Sequence, residues 1–183
     1  EFQASRSRVR VNAAGEPVLL LDQNRAHWDR ILIARGRAAL ARAEQLGGQA
    51  CSYALQAAIA ATHATAATAA DTDWPRIAAL YTILGTVSPS PVVELNRAVA
   101  VSMAFGPQAG LAIVDALVAE GTLEGYHLLP TVRGDLLMKL DRASEAREEF
   151  ERAATLTRND RERALLLRRA QEAATASSTT SST

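Results

Sequence analysis

A chain of 183 residues with 20 basic and 20 acidic side chains has no formal net charge. A module that grips duplex DNA by itself normally carries a basic excess, so direct DNA binding by this segment is not expected. The lone Cys51 excludes an internal disulfide and a multi-cysteine zinc site, no apolar run reaches the ~20 residues that cross a bilayer, and no signal peptide precedes the first helix, so a soluble, cytoplasmic chain without membrane contact is expected.

Alanine at 38 positions, with sparse glycine and few aromatics, points to helix throughout. Residues 1–22 read as a basic lead-in segment with a turn at Ala14-Gly15-Glu16-Pro17. Asp22 suits the N-cap of a first helix over 24–45, which Gly47-Gly48 stops. A second helix over 52–66 carries Gln56 and His63 on one side, and 64–72 reads as its fraying end plus a loop. Residues 23–72 are thus expected to form a divergent N-terminal helical hairpin. Asp73 can cap a helix to about Val87, with Pro75 in the first turn, where its missing N–H costs nothing. Ser88-Pro89-Ser90-Pro91 breaks that helix, and the next runs over 92–104. Gly106-Pro107 opens another to Ala119, closed by Gly121. A segment over 123–140 follows, in which Pro130 should either kink the helix or mark its true start. A last pair spans 142–157 and 160–174, and the Ser/Thr tail 176–183 is expected to be disordered.

From Asp73 the pattern repeats. Tetratricopeptide units are helical hairpins of about 34 residues in which small residues let two helices approach and a larger one fills the gap to the next hairpin. One stretch of that pattern sets an aromatic residue, then smaller or apolar residues three and six positions on, then proline. Tyr81, Leu84, Val87 and Pro89 fit it completely. Phe150, Ala153 and Leu156 fit it with Arg158 in place of proline, and Ile113, Ala116 and Ala119 make a weaker copy. The fold expected is all-α, with antiparallel helical hairpins stacked as a tetratricopeptide-like right-handed solenoid, the repeats occupying 73–175.

Candidate chemistry is thin. His27, His63 and His127 include no pair at metal-ligand spacing on one helix, so they read as solvent or packing histidines, and no metal or cofactor is expected. Asp71-Thr72-Asp73-Trp74 sets two carboxylates close together, suited to acid–base work or a hard cation, yet helix capping by Asp73 and packing of Trp74 explain it as well. Asn24-Arg25, Trp28-Asp29, Asn96-Arg97 and Arg133 with Asp135 are polar groups set in apolar helices. They suit reading of a peptide along a concave repeat surface, or hydrogen bonds between hairpins. With no Gly-x-Ser-x-Gly elbow, phosphate loop or dinucleotide fingerprint, an enzyme is not expected.

Five blocks in order resemble a known family. Leu21-Asp22-Gln23-Asn24-Arg25 followed by Trp28-Asp29 is similar to the L-x-D-Q-x-R-x-x-W-D signature that opens the long C-terminal extension of certain extracytoplasmic-function sigma factors. The run Tyr53 to Ala64, the run Asp71 to Tyr81, the run Ser88 to Val101, and Gly125-Tyr126-His127-Leu128-Leu129 agree as well. Arg35, Arg37 and Asp141 depart from the pattern, the last standing where glycine is usual between hairpins. The resemblance implies a regulatory, non-catalytic domain of an RNA polymerase sigma factor, whose promoter-binding helical domains are absent from this fragment. Its implied partners are those sigma domains, RNA polymerase, or a regulatory protein or small ligand. The binding residues implied are Asn24, Arg25, Trp28, Asp29, Gln56, His63, Asp73, Trp74, Asn96, Arg97, His127 and Arg133, several of them lining one cleft between the first hairpin and the first repeat. The alternative is a free-standing peptide-binding scaffold unrelated to transcription.

Overall fold

The computed structural model describes residues 1–12, 18, 20–48 and 51–180, and among these the chain is helical, without a strand. The α-helices are α1 (Phe2–Ser5), α2 (Arg30–Gln45), α3 (Ser52–Thr65), α4 (Trp74–Val87), α5 (Pro91–Phe105), α6 (Pro107–Ala119), α7 (Leu128–Met138), α8 (Ala143–Leu156) and α9 (Asp160–Thr180). Short 3-10 turns occupy Ser7–Val9 and Arg25–His27. Residues 1–89 and 90–183 form two compact units.

The helix starts follow from side chains that satisfy orphan N–H groups. Asp73 accepts from the Arg76 N–H at 3.0 Å with Pro75 in the first turn of α4, and Ser90 accepts from the Val92 N–H beside Pro91 at the head of α5. The first expected helix differs. Asp22 caps none of the described helices: Asn24 caps the 3-10 turn by accepting from the Ala26 N–H, and α2 begins only at Arg30, where Asp29 accepts from the N–H groups of Ile31 and Leu32. Two good capping residues five positions apart give two starts rather than one. α2 ends as expected, with Gly47 at φ 78°. Pro130 is the third residue of α7, so it marks the true start of that helix, preceded by a turn with Gly121 and Leu123 at positive φ. α9 continues to Thr180, so 176–180 is helical rather than a disordered tail. The expected turn at residues 14–17 lies outside the described residues.

In residues 90–183, α5–α6 and α7–α8 are hairpins in one register. Ala98, Gly110, Val114 and Leu117 recur 36 positions later as Gly134, Ala146, Phe150 and Ala153, and all eight are buried. Small residues sit where the paired helices approach closest. A Cβ on Gly110 would lie 2.7 Å from the Ala98 carbonyl oxygen, and one on Gly134 would lie 2.6 Å from the Phe150 ring. The weaker copy at Ile113, Ala116 and Ala119 is out of register: Ala116 and Ala119 are exposed, and α6 buries Leu111, Val114 and Leu117 instead. Together with Leu129, Leu136, Leu137 and Leu166 these residues build a continuous apolar core, in which each fully buried leucine contributes about 1.5–3 kcal/mol.

Residues 1–89 are assembled differently. The expected lead-in contains α1, which packs on α2 and α3, with the Phe2 ring about 3 Å from where a Cβ on Gly36 would stand. Phe2, Trp28, Ile33 and Ala64 pack together, flanked by Val9, Leu20 and the alanines of α3, while Leu55 and Ile59 of α3 and Ile77 and Leu84 of α4 are buried as well. α2 buries only Ile33 and Gly36, while Ile31 is 72% exposed. Alanine-rich faces bring little volume to the interior, so concavities remain between the helices.

Candidate functional site

The motif at 23–29 is a clamp. Gln23 donates to the Val18 carbonyl at 3.0 Å. Arg25, 7% exposed, donates to the carbonyls of His63 at 2.7 Å and Ala66 at 3.2 Å, and to the Thr72 hydroxyl at 3.1 Å. Those carbonyls close the C-terminal end of α3, so a guanidinium, with its several donors and favourable charge at a helix C-terminus, caps it from a distant loop. The Arg25 guanidinium also lies 5.2 Å from the centroid of the Trp28 ring, which is buried. Sequence spacing places these residues together in the motif, but does not disclose that most of them serve the fold.

A cavity of about 230 Å³ lies against this clamp, lined by Phe2, Gln3, Arg6, Leu20, Trp28, Gln56, Ile59, Ala60, His63, Ala64 and Tyr81. Gln56, Ile59, Ala60 and His63 reach it from one face of α3, at the spacing of successive helical turns. The His63 ring meets Trp74 edge-on, with centroids 5.2 Å apart. Burial, then the nearby Arg25 and Arg6 cations, lower the His63 pKa to about 4, so its imidazole is neutral at pH 7. His63 Nδ1 and Trp28 Nε1 are buried without a hydrogen-bonding partner among the described residues. Arg6 donates to Gln3 Oε1, as does Arg10.

A second, larger groove of about 830 Å³ runs between α2 and α3. Its floor is Ala34, Ala38, Leu40, Ala41, Ala58 and Ala61, and its rim carries Arg37, Glu44, Asp71, Asp73 and Arg76. Asp71 is engaged by Thr68, whose N–H and hydroxyl both donate to it, and Asp73 caps α4, which accounts for this acid pair without chemistry.

Of the twelve expected binding residues, Trp28, Gln56 and His63 therefore line one cavity, Arg25 and Trp74 contact its walls, and Asp73 borders the other groove. Asn24 and Asp29 are caps. The remaining four belong to residues 90–183. Asn96 is exposed on α5. Arg97 forms a two-bond pair with Glu94, and those hydrogen bonds hold the Glu94 carboxyl below its usual range. His127 lies 3.4 Å from Glu162, an ion pair only when the ring is protonated. Arg133 ties three helices together, donating to Asp115 of α6 at 2.8 Å and Glu149 of α8 at 2.7 Å. Burial alone would lower the Arg133 pKa, but the two carboxylates outweigh it and raise it. The Arg97 pair lies within α5, whereas the Arg133 contacts hold neighbouring hairpins in place. Phe2, Arg6 and Tyr81 escaped the sequence reading of this site. The spacing of Phe2, Ser5 and Val9 was the available signal, since it matches one face of a short helix.

No group of three or more metal-ligating side chains converges among the described residues, and no helix there is long and apolar enough to cross a membrane. By fold the chain is an all-α protein of helical hairpins. A family of unknown function (DUF6596) matches residues 1–44, the stretch that contains the clamp. An uncharacterized protein of Rhizobium meliloti (strain 1021) is 46% identical over 165 residues, covering 90% of this chain and 38% of that protein. The chain therefore spans well under half of that relative's length. No solved structure matches.

Proposed function

We propose that this chain is a non-catalytic regulatory domain of a bacterial extracytoplasmic-function sigma factor. It acts in transcription initiation by modulating the sigma domains or their contact with RNA polymerase, in the cytoplasm and without binding DNA itself. The observation that carries this reading is the set of five ordered sequence blocks resembling that family's C-terminal extension, spread over nearly the whole chain. The match of residues 1–44 covers the first block, and the relative has more than half its length outside the match, room enough for promoter-binding domains. In finer detail the hairpins stack as a tetratricopeptide-like right-handed solenoid, a reading supported by the 36-residue register of α5–α6 and α7–α8. The alanine-floored groove between α2 and α3 suits the apolar face of a partner helix, and its mixed-charge rim suits orientation rather than bulk attraction.

That same groove equally suits a free-standing peptide-binding scaffold, and the experiment separates the two. Transcription in vitro by the intact parent protein is compared with transcription after removal of the segment equivalent to residues 1–183, and with an Ala38→Glu, Ala61→Glu variant of the groove. A change in output on removal, reproduced at least in part by the groove variant, is expected. Equal output from all three, or a parent protein that does not engage RNA polymerase, overturns the reading.

A further inference from the structure

The cavity beside the clamp has the makings of a small-molecule site, and it is distinct from the groove offered to a protein partner. Its volume, about 230 Å³, falls below the roughly 300–1,000 Å³ of sites for drug-sized ligands, so one or two fused rings would fill it. Three aromatic side chains stand around it: Phe2 from α1, Trp28 from the clamp and Tyr81 from α4. Such walls favour a flat, unsaturated occupant.

Among the described residues that line the cavity the charged side chain is a cation, with Asp71 acting on Arg25 from beyond them. Arg6 is among the lining residues and Arg25 lies directly behind Trp28 and His63. Among the described residues neither arginine has a carboxylate at ion-pair distance: Arg6 is held by the Gln3 amide oxygen, and Arg25 by two carbonyls and a hydroxyl. Arg10 shares the same Gln3 oxygen and adds a third cation. Arg97, Arg133, Arg142, Arg147 and Arg163, by contrast, each pair with an acid. Arg6 at the wall and Arg25 behind it, with no carboxylate at ion-pair distance among the described residues, favour an anion. Gln56 and His63 add polar atoms at the wall, and the indole Nε1 of Trp28 and Nδ1 of His63 are buried and unpartnered.

We propose that this cavity binds a small aromatic carboxylate, its ring between Trp28 and Tyr81 and its carboxylate at the Arg6 guanidinium. The site is independent of the transcription reading, since a free-standing scaffold would hold the same ligand. Binding would tie α1 more firmly to α3, because the lining residues come from both.

The test uses the full 183-residue chain with benzoate and indole-3-carboxylate as probes, and benzamide as the uncharged control. The indole N–H signal of Trp28, told from that of Trp74 with a Trp74→Phe variant, is followed by nuclear magnetic resonance during titration. Saturable movement of the Trp28 signal with either carboxylate, and none with benzamide, is expected. Arg6→Gln, at a part-exposed position, should weaken binding roughly tenfold or more, the size of a lost charge-assisted hydrogen bond. Ala60→Phe, which fills the cavity, should abolish it. An unmoved Trp28 signal with both carboxylates, equal binding of benzamide, or undiminished binding by Arg6→Gln each overturns the proposal.

Discussion

Residues 90–183 and residues 1–89 are both helical, yet they are held together by different means. In the former, small residues repeat at crossing points, and leucines and Phe150 fill the space between helices. Arg133 and Arg169 fasten the surface of that core, the first across three helices, the second by stacking 4.3 Å from the Phe150 ring centroid and pairing with Asp135. In the latter, α3 and α4 bury Leu55, Ile59, Ile77 and Leu84, but α2 buries only Ile33 and Gly36, and a buried arginine clamps the end of α3 from a loop far away in sequence. A unit filled by large side chains has little room for anything else. Where alanine-rich faces of α2 and α3 meet and the Arg25 clamp holds the helix end, concavities remain, and both grooves described above lie there.

That contrast is open to direct attack. The largest effect is expected for Phe150→Ala. The ring is 1% exposed and touches Gly134, so its loss should cost about 3–5 kcal/mol in chemical denaturation. Arg25→Met comes next. It leaves the carbonyls of His63 and Ala66 without their donor while keeping much of the buried volume, and should cost about 2–3 kcal/mol. A loss under half of that would show the clamp to be dispensable.

A further effect is read as a pH dependence. The His63 pKa is lowered from an ordinary 6.5 to about 4. Between those values the unfolded chain binds a proton that the folded chain does not, so stability is full above pH 6.5 and falls as pH drops toward 4. In His63→Gln the urea midpoint should fall less over that window than in the unaltered chain, and parallel curves would remove His63 from the account of acid lability. The smallest effect is a gain. Asp141 adopts φ 58° between α7 and α8, a conformation unfavourable to residues with a Cβ, so Asp141→Gly should stabilise by about 1 kcal/mol.

Much of this was legible in the sequence where local chemistry decides the outcome. Asp73 with Pro75, Ser90 with Pro91, and Gly106 with Pro107 set helix starts that the structure reproduces closely. Asp141, standing where glycine is usual, indeed occupies a left-handed turn. Legibility failed where a distant partner decides. Arg25 and Trp28 read as part of a continuous helix, but their burial against α3 and the second cap at Asp29 break it. The register of α6 was misjudged because Ile113, Ala116 and Ala119 match a motif spacing, whereas packing against Ala98 selects the face with Gly110. The candidate site was legible in part. Gln56 and His63 share a helical face and do line one cavity, but nothing local tells that Phe2 and Arg6 of the N-terminal segment and Tyr81 of α4 close it.

Amide hydrogen exchange, read residue by residue on the intact chain, probes the contrast between the two regions most directly. Amides at Leu137, Phe150, Ala153 and Leu166, deep in the repeat-built core, should exchange only through global opening. Those of α1 and of the α2 face toward the alanine groove should exchange faster, through local opening. Protection in α1 and α2 equal to that at Phe150 would mean that residues 1–89 are as rigidly packed as the rest, and would contradict the division of the chain into a filled scaffold and an accommodating clamp-held region.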